Sequence, residues 1–215
     1  MTDAFFTDVQ RDALTEMMNL GVGRAASAFS KLVGDEVLLS VPNISLTTVS
    51  DAVAQFTGGE SRAFAGVMES FDGFIDGTAA LLFPGERSLE LVRAVIGEDM
   101  PADEISDLEE ETLAEIGNII LNNCLATVAN ALRKRIHTSL PETYRATGDA
   151  MFPFLDANPR AEANGLVTTP MLLLVQIDFS LRERDIGGFL AFLIDLKSTE
   201  AFRSAIDEYL AELGV

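Results

Sequence analysis

Two sets of polar residues recur at one spacing in this chain of 215 residues: Asp12, Glu16, Asn19 and Pro42, then Glu111, Glu115, Asn118 and Pro141, each 99 positions after its counterpart. Both sets read acid-x3-E-x2-N-x22-P. At average residue frequencies the E-x2-N-x22-P core matches about one start position in ten thousand, so two copies in a short chain mark an internal duplication with a polar site in each half. The chemistry open to such a site is narrow. An amide has no useful basicity, so Asn19 or Asn118 cannot act as a general base, but its carbonyl and NH2 can hold a water molecule in a defined orientation. A carboxylate three residues earlier can pair with a lysine of a partner. Together they could hydrolyse an electrophile that is already activated, as a glutamine orients water in a GTPase, but could not attack an inert bond unaided. The electrophile and any metal must come from elsewhere.

The elements that position these residues can be read from caps and periodicity. Thr7 to Gln10 reads T-x-x-Q and Ser106 to Glu109 reads S-x-x-E, each a capping box that predicts the start of a long helix. The first helix is expected from about Asp8 to about Val33, with Leu14, Met17, Gly21, Ala25, Ala28 and Leu32 at helical spacing and Gly34-Asp35 closing it. Its counterpart is expected from about Asp107 to about Lys134. At about 100° per residue, steps of four and three place acid, Glu and Asn within roughly 60° of one another, forming one stripe along about two turns. Leu14, Met17 and Gly21, and in the second helix Leu113, Gly117 and Ile120, point elsewhere, so the stripe can stay exposed while the other face enters a core.

After each proline come apolar runs that predict strand pairs: Phe64 to Met68 with Thr78 to Phe83, and Leu172 to Leu181 with Gly188 to Leu196. Each pair reads as a hairpin that runs on into a helix, GERSLELVRAVIG in the first half and KSTEAFRSAIDEYLAEL in the second. The segment from Pro141 to Pro170 is the longer, variable excursion of the second repeat, and GEDMPADEISDLEEE reads as a solvated acidic connection. The expected fold is α/β in the α+β sense: a single pseudo-twofold domain over residues 1–215. Its two repeats, about 7–100 and about 105–215, would share an antiparallel sheet carrying two long site-bearing helices.

Composition narrows the partners. With 48% hydrophobic residues the chain can bury a sizeable core. A formal charge of −19 would repel phosphate backbones and anionic lipid, so neither nucleic acid nor a membrane surface is expected as a partner. Acids where a secretory signal would be basic, the absence of a membrane-length apolar run and the lone Cys124 point to the cytoplasm. No metal constellation, phosphate loop or nucleophile-histidine arrangement is evident, so no cofactor is expected on this chain. Cys124 reads as a core residue and His137 as structural or superficial. Pro42 and Pro141 read as structural, each fixing the start of a strand. Gly21 and Gly23 cost helix stability, which close packing or clearance for a partner could explain.

The duplicated residues resemble the signature of the CheC/CheX/FliY phosphatases of bacterial chemotaxis, [D/S]-x3-E-x2-N-x22-P, over essentially the whole chain. The CheC branch keeps both sites, as this sequence does. CheX is similar to a one-site version that dimerises, and FliY resembles the module fused to a flagellar switch domain. The resemblance implies dephosphorylation of the response regulator CheY. Asn19 and Asn118 would align water for in-line attack on its aspartyl phosphate, Glu16 and Glu115 would pair with its active-site lysine, and Mg2+ would belong to the regulator. Asp12 and Glu111 stand between a contact to the partner and a plain helix-surface role, and Glu111 departs from the pattern, so site one is expected to be the stronger. The alternative from a different class is a non-catalytic regulatory module that binds CheY or the deamidase CheD.

Overall fold

The computed structural model describes residues 6–47, 51–52, 63–97, 102–147, 171–181, 184–194 and 196–214. Helix α1 (Asp8–Val33) starts at the expected capping box: the Thr7 N–H donates to Gln10 Oε1 at 2.8 Å and the Gln10 N–H to Thr7 Oγ1 at 3.3 Å. It stops at Gly34, whose left-handed φ of 67° lets its N–H reach back to the Ser30 carbonyl at 3.0 Å. The buried face is Leu14, Met17, Met18, Gly21, Val22, Ala25 and Phe29. Leu32, expected on that face, is 48% exposed, because the packed face has rotated past it by the last turn.

Seven strands form one antiparallel sheet among the described residues: β1 (Val37–Thr47), β2 (Ala63–Gly73), β3 (Gly77–Pro84), β4 (Ile136–Thr138), β5 (Glu142–Thr147), β6 (Met171–Leu181) and β7 (Arg184–Ile194). Their order is β1-β6-β7-β3-β2, with β4 and β5 sharing the outer edge of β2. The two expected hairpins are present as β2–β3 and β6–β7, and β3 pairs with β7 at the centre. Each edge then crosses over: β1 of the first half pairs with β6 of the second, while β4 and β5 of the second half pair with β2 of the first. The halves are interleaved through backbone hydrogen bonds and share one sheet.

The sequence reading missed β1, β4 and β5 because a proline interrupts each edge. Along β1 the register runs Ser40↔Asp178 and then Asn43↔Gln176, so Val41 and Pro42 together oppose one residue. On the other edge Thr138↔Phe71 is followed by Glu142↔Met68, so three residues ending at Pro141 oppose two. Both prolines thus occupy an edge-strand bulge with one extra residue, where a missing N–H removes no obligatory ladder bond. Pro42 lies inside its strand and does not mark the start of one; Pro141 immediately precedes β5.

Side chains alternate between the two sheet faces. One face, with Ala65, Val67, Phe71, Leu81, Phe83, Val175 and Phe179, joins the helices in the main core. The other gathers Phe64, Ala80, Leu82, Leu172, Leu174 and Leu193 into a second cluster. The expected helices follow β3 and β7 as α2 (Gly85–Ile96) and α4 (Leu196–Leu213), the latter docked on α1 through Gln10 Nε2 donating to Asp207 Oδ1 at 2.5 Å.

Helix α3 (Ala102–Ala131) begins well before the expected start. Much of the acidic stretch read as a solvated connection is therefore helical, and Ser106 lies inside the helix. Glu109 does not act as a cap: it is buried, accepts from Ser88 Oγ at 2.8 Å, and is paired with Arg145 of β5. A carboxylate removed from water requires such partners. The long site helices α1 and α3 pack together, and a Cβ on Gly21 would lie 2.9 Å from the Cys124 Cα, so the glycine permits the close approach. Cys124 is fully buried, as expected for a core residue, and burial pushes its thiol up to about 12.

Candidate functional site

On α1, Asp12, Glu16 and Asn19 are all exposed along one stripe while the adjacent Leu14, Met17 and Met18 are buried. The i, i+4, i+7 spacing that built the sequence motif therefore presents its side chains to solvent on one helix face. Among the described residues, neither end of the Asn19 amide is hydrogen-bonded. Beside it lies a shallow groove of about 410 Å³ lined by Asn19, Leu20, Gly23, Arg24, Ser27, Ala28 and Lys31. A Cβ on Gly23 would meet no atom within 4 Å, so this glycine serves the open groove and not helix packing. Arg24 anchors one side, its Nη1 donating to Thr127 Oγ1 on α3 at 3.3 Å.

On α3, Glu111 and Glu115 are likewise exposed, but Asn118 is half-buried. Its Oδ1 accepts from Asn122 Nδ2 at 2.8 Å. The same Nδ2 lies 3.3 Å from Glu69 Oε1 of β2, and Asn122 Oδ1 accepts from Thr138 Oγ1 of β4 at 2.8 Å. Glu69 is 1% exposed and faces the helix layer with Val67 and Phe71. Its Oε2 has no hydrogen-bond partner among the described residues, and burial pushes its carboxyl up from 4.5 to about 7.

This network belongs to site two alone. The 99-residue offset of the motif places Gly23 where α3 has Asn122, and Leu39 where β4 has Thr138. Ser40 pairs with Asp178, and its counterpart Ser139 donates its N–H to the Ser70 carbonyl; one residue along each partner strand, the buried Ile177 corresponds to Glu69. Site one thus rests on an apolar floor beside an open groove, and site two rests on a buried carboxylate with an amide filling the equivalent space.

All six residues singled out from the sequence lie on the two helix faces expected for them: Asp12, Glu16 and Asn19 on α1, and Glu111, Glu115 and Asn118 on α3. Glu69, Asn122 and Thr138 were not anticipated. The available signals were an acid, Glu69, at an inward position between Val67 and Phe71 of β2 and an asparagine one turn after Asn118 where the first repeat has glycine. His137 is exposed, its Nδ1 3.1 Å from Asp72 Oδ1, consistent with a surface role. Among the described residues no three His, Cys, Asp or Glu side chains gather to hold a metal ion, and no helix is long and apolar enough to cross a membrane.

Comparison with known proteins adds to this geometry. Residues 9–46, which carry the first motif, match the CheC-like family. The chain is 29% identical over 138 residues to the CheY-P phosphatase CheC of Bacillus subtilis, covering 62% of this chain and 65% of that protein. It is 25% identical over 144 residues to CheC1 of Halobacterium salinarum, covering 66% of this chain and 72% of that relative. The fold is similar to that of Thermotoga maritima FliY, with a TM-score of 0.69 at 16% identity, covering 95% of this chain and 98% of the chain in the FliY structure. It is also similar to the middle domain of FliM from H. pylori, with a TM-score of 0.58 at 10% identity, covering 93% and 99%. The chain is thus similar to the CheC-like family over its first motif and to two CheC proteins over about two thirds of its length, and it shares its fold with FliY.

Proposed function

We propose that this chain hydrolyses the aspartyl phosphate of a CheY-type chemotaxis response regulator. The observation that carries the reading is the Glu-Asn pair repeated on α1 and α3, with both members exposed on α1 and a half-buried Asn118 on α3, supported by the CheY-P phosphatase named among its relatives. An acyl phosphate is already activated, so the enzyme must mainly supply position and exclude wrong geometries. Asn19 and Asn118 hold a water in line with the scissile P–O bond. As the water oxygen bonds to phosphorus, the aspartate carboxylate leaves. Glu16 and Glu115 pair with a lysine of the regulator and fix the distance of approach, with Asp12 and Glu111 flanking the contact. The cation that neutralises the phosphoryl oxygens is a Mg2+ held by the regulator's own carboxylates.

The test is phosphate loss from a phosphorylated CheY-type regulator, with and without the chain, at saturating Mg2+ and after chelation. Acceleration of at least about tenfold that disappears on chelation is expected, while elemental analysis finds no stoichiometric metal on the chain itself. Saturable binding with no acceleration would replace this reading with that of a regulatory module, for which the regulator or CheD would be the partner.

A further inference from the structure

We infer that Glu69, acting through Asn122, sets which end of the Asn118 amide site two presents. Glu69 and Asn122 are positioning residues, and the role assigned to Asn118 rests on the function proposed above. The inference follows from counting donors and acceptors. An ionised carboxylate only accepts, so Glu69 requires the NH2 end of Asn122. That orientation turns the Asn122 carbonyl toward the Thr138 hydroxyl, which donates to it at 2.8 Å. The Asn122 NH2 then also faces Asn118, so Asn118 must turn its carbonyl inward, at 2.8 Å, and its NH2 outward. One buried charge thereby fixes two amides in series.

A proton on Glu69 releases the series. Protonated Glu69 has one donor and one acceptor, and a hydroxyl such as that of Thr138 donates or accepts equally well. Asn122 can then turn its carbonyl to Glu69, its NH2 can donate to Thr138, and Asn118 can turn its NH2 inward and its carbonyl outward. Each of the three contacts is remade with donor and acceptor exchanged, and the only group released, the Asn118 carbonyl, turns outward to the surface. Only the outward carbonyl can accept a hydrogen from the attacking water, which makes the protonated state the productive one.

Geometry and environment agree on the controlling group. Glu69 is 1% exposed with Oε2 unpartnered among the described residues, and burial raises its titration range to about 7, where its proton can exchange near neutral pH. Around it, β3 contributes the apolar Ala79, and α3 carries Glu115 exposed at the surface. On β4, His137 is paired with Asp72 of β2; on β5, Glu142 is exposed and Arg145 is paired with Glu109. None of these is hydrogen-bonded to Glu69. Site one has Ile177 and Gly23 in place of Glu69 and Asn122, so Asn19 is outside this control.

The experiment uses the full chain with one site at a time. In Asn19→Ala, which leaves site two, single-turnover dephosphorylation should rise about tenfold as pH falls from 8 to 6, relative to Asn118→Ala, which leaves site one. Adding Glu69→Gln to Asn19→Ala should flatten that difference, because a glutamine amide satisfies either orientation at every pH. Side-chain amide 15N–1H signals of Asn118 and Asn122 in the protein without regulator should titrate together near neutral pH and stop doing so in Glu69→Gln. Signals that do not titrate in the wild type overturn the relay whatever the activity shows. Titrating signals together with a chain that never accelerates phosphate loss overturn the proposed function and leave the relay standing. A pH step that survives Glu69→Gln overturns Glu69 as its origin.

Discussion

At the residue scale, the two Asn side chains share a motif but not an environment. Asn19 stands exposed beside a groove floored by Gly23, whereas Asn118 is held from below by Asn122. The buried Glu69 that anchors this arrangement also affects the stability of the fold. Its folded carboxyl is raised from 4.5 to about 7 by burial, so between those values the folded chain binds more proton than the unfolded chain. The stability it contributes is therefore fully present below about 4.5 and lost as pH rises through about 7. Glu69→Gln removes that titration. Its stability relative to wild type should improve by roughly 1–3 kcal/mol between pH 5 and pH 8, the range allowing for screening by nearby water. Urea unfolding midpoints at the two pH values check this, and a wild type and variant that shift in parallel would show that Glu69 does not titrate in that range.

At the scale of elements, the two glycines of α1 behave oppositely although they are two residues apart. A Cβ on Gly21 would sit 2.9 Å from the Cys124 backbone, which cannot rotate away, so Gly21→Ala should cost about 1–3 kcal/mol despite its better helix propensity. Gly23 has open space, and Gly23→Ala should gain up to about 1 kcal/mol while narrowing the groove beside Asn19. Thermal unfolding of the two variants in parallel distinguishes them; equal shifts would contradict the packing described for α1 on α3. Sequence periodicity alone left both glycines open. What was legible was local: the Thr7–Gln10 cap, the α1 boundaries, both hairpins, and the stripes carrying Glu16, Asn19, Glu115 and Asn118. What escaped depended on distant pairing. The proline-interrupted edge strands look like loops until β6 and β2 supply partners, and Glu109 looks like a cap until β5 brings Arg145 to it.

At the scale of the whole molecule, interleaving accounts for two sites held on one frame. Because β1 completes the second hairpin and β4 with β5 completes the first, neither half has both its edge strand and its hairpin to itself. The long helices α1 and α3 then pack on each other over a shared core. A formal charge of −19 is compatible with the proposed partner, which would bring its own lysine and cation. The measurement that bears most directly on the central claim is a separation of rate from affinity in the Asn19→Ala/Asn118→Ala double variant, using a phosphorylated CheY-type regulator in single turnover and its unphosphorylated form in titration. If the two amides align water as proposed, their removal should lower the rate constant by about a hundredfold or more and change Kd by less than about threefold. A double variant that retains the wild-type rate, or that loses affinity while the bound regulator is dephosphorylated at the wild-type rate, would show that the asparagines do not align the attacking water.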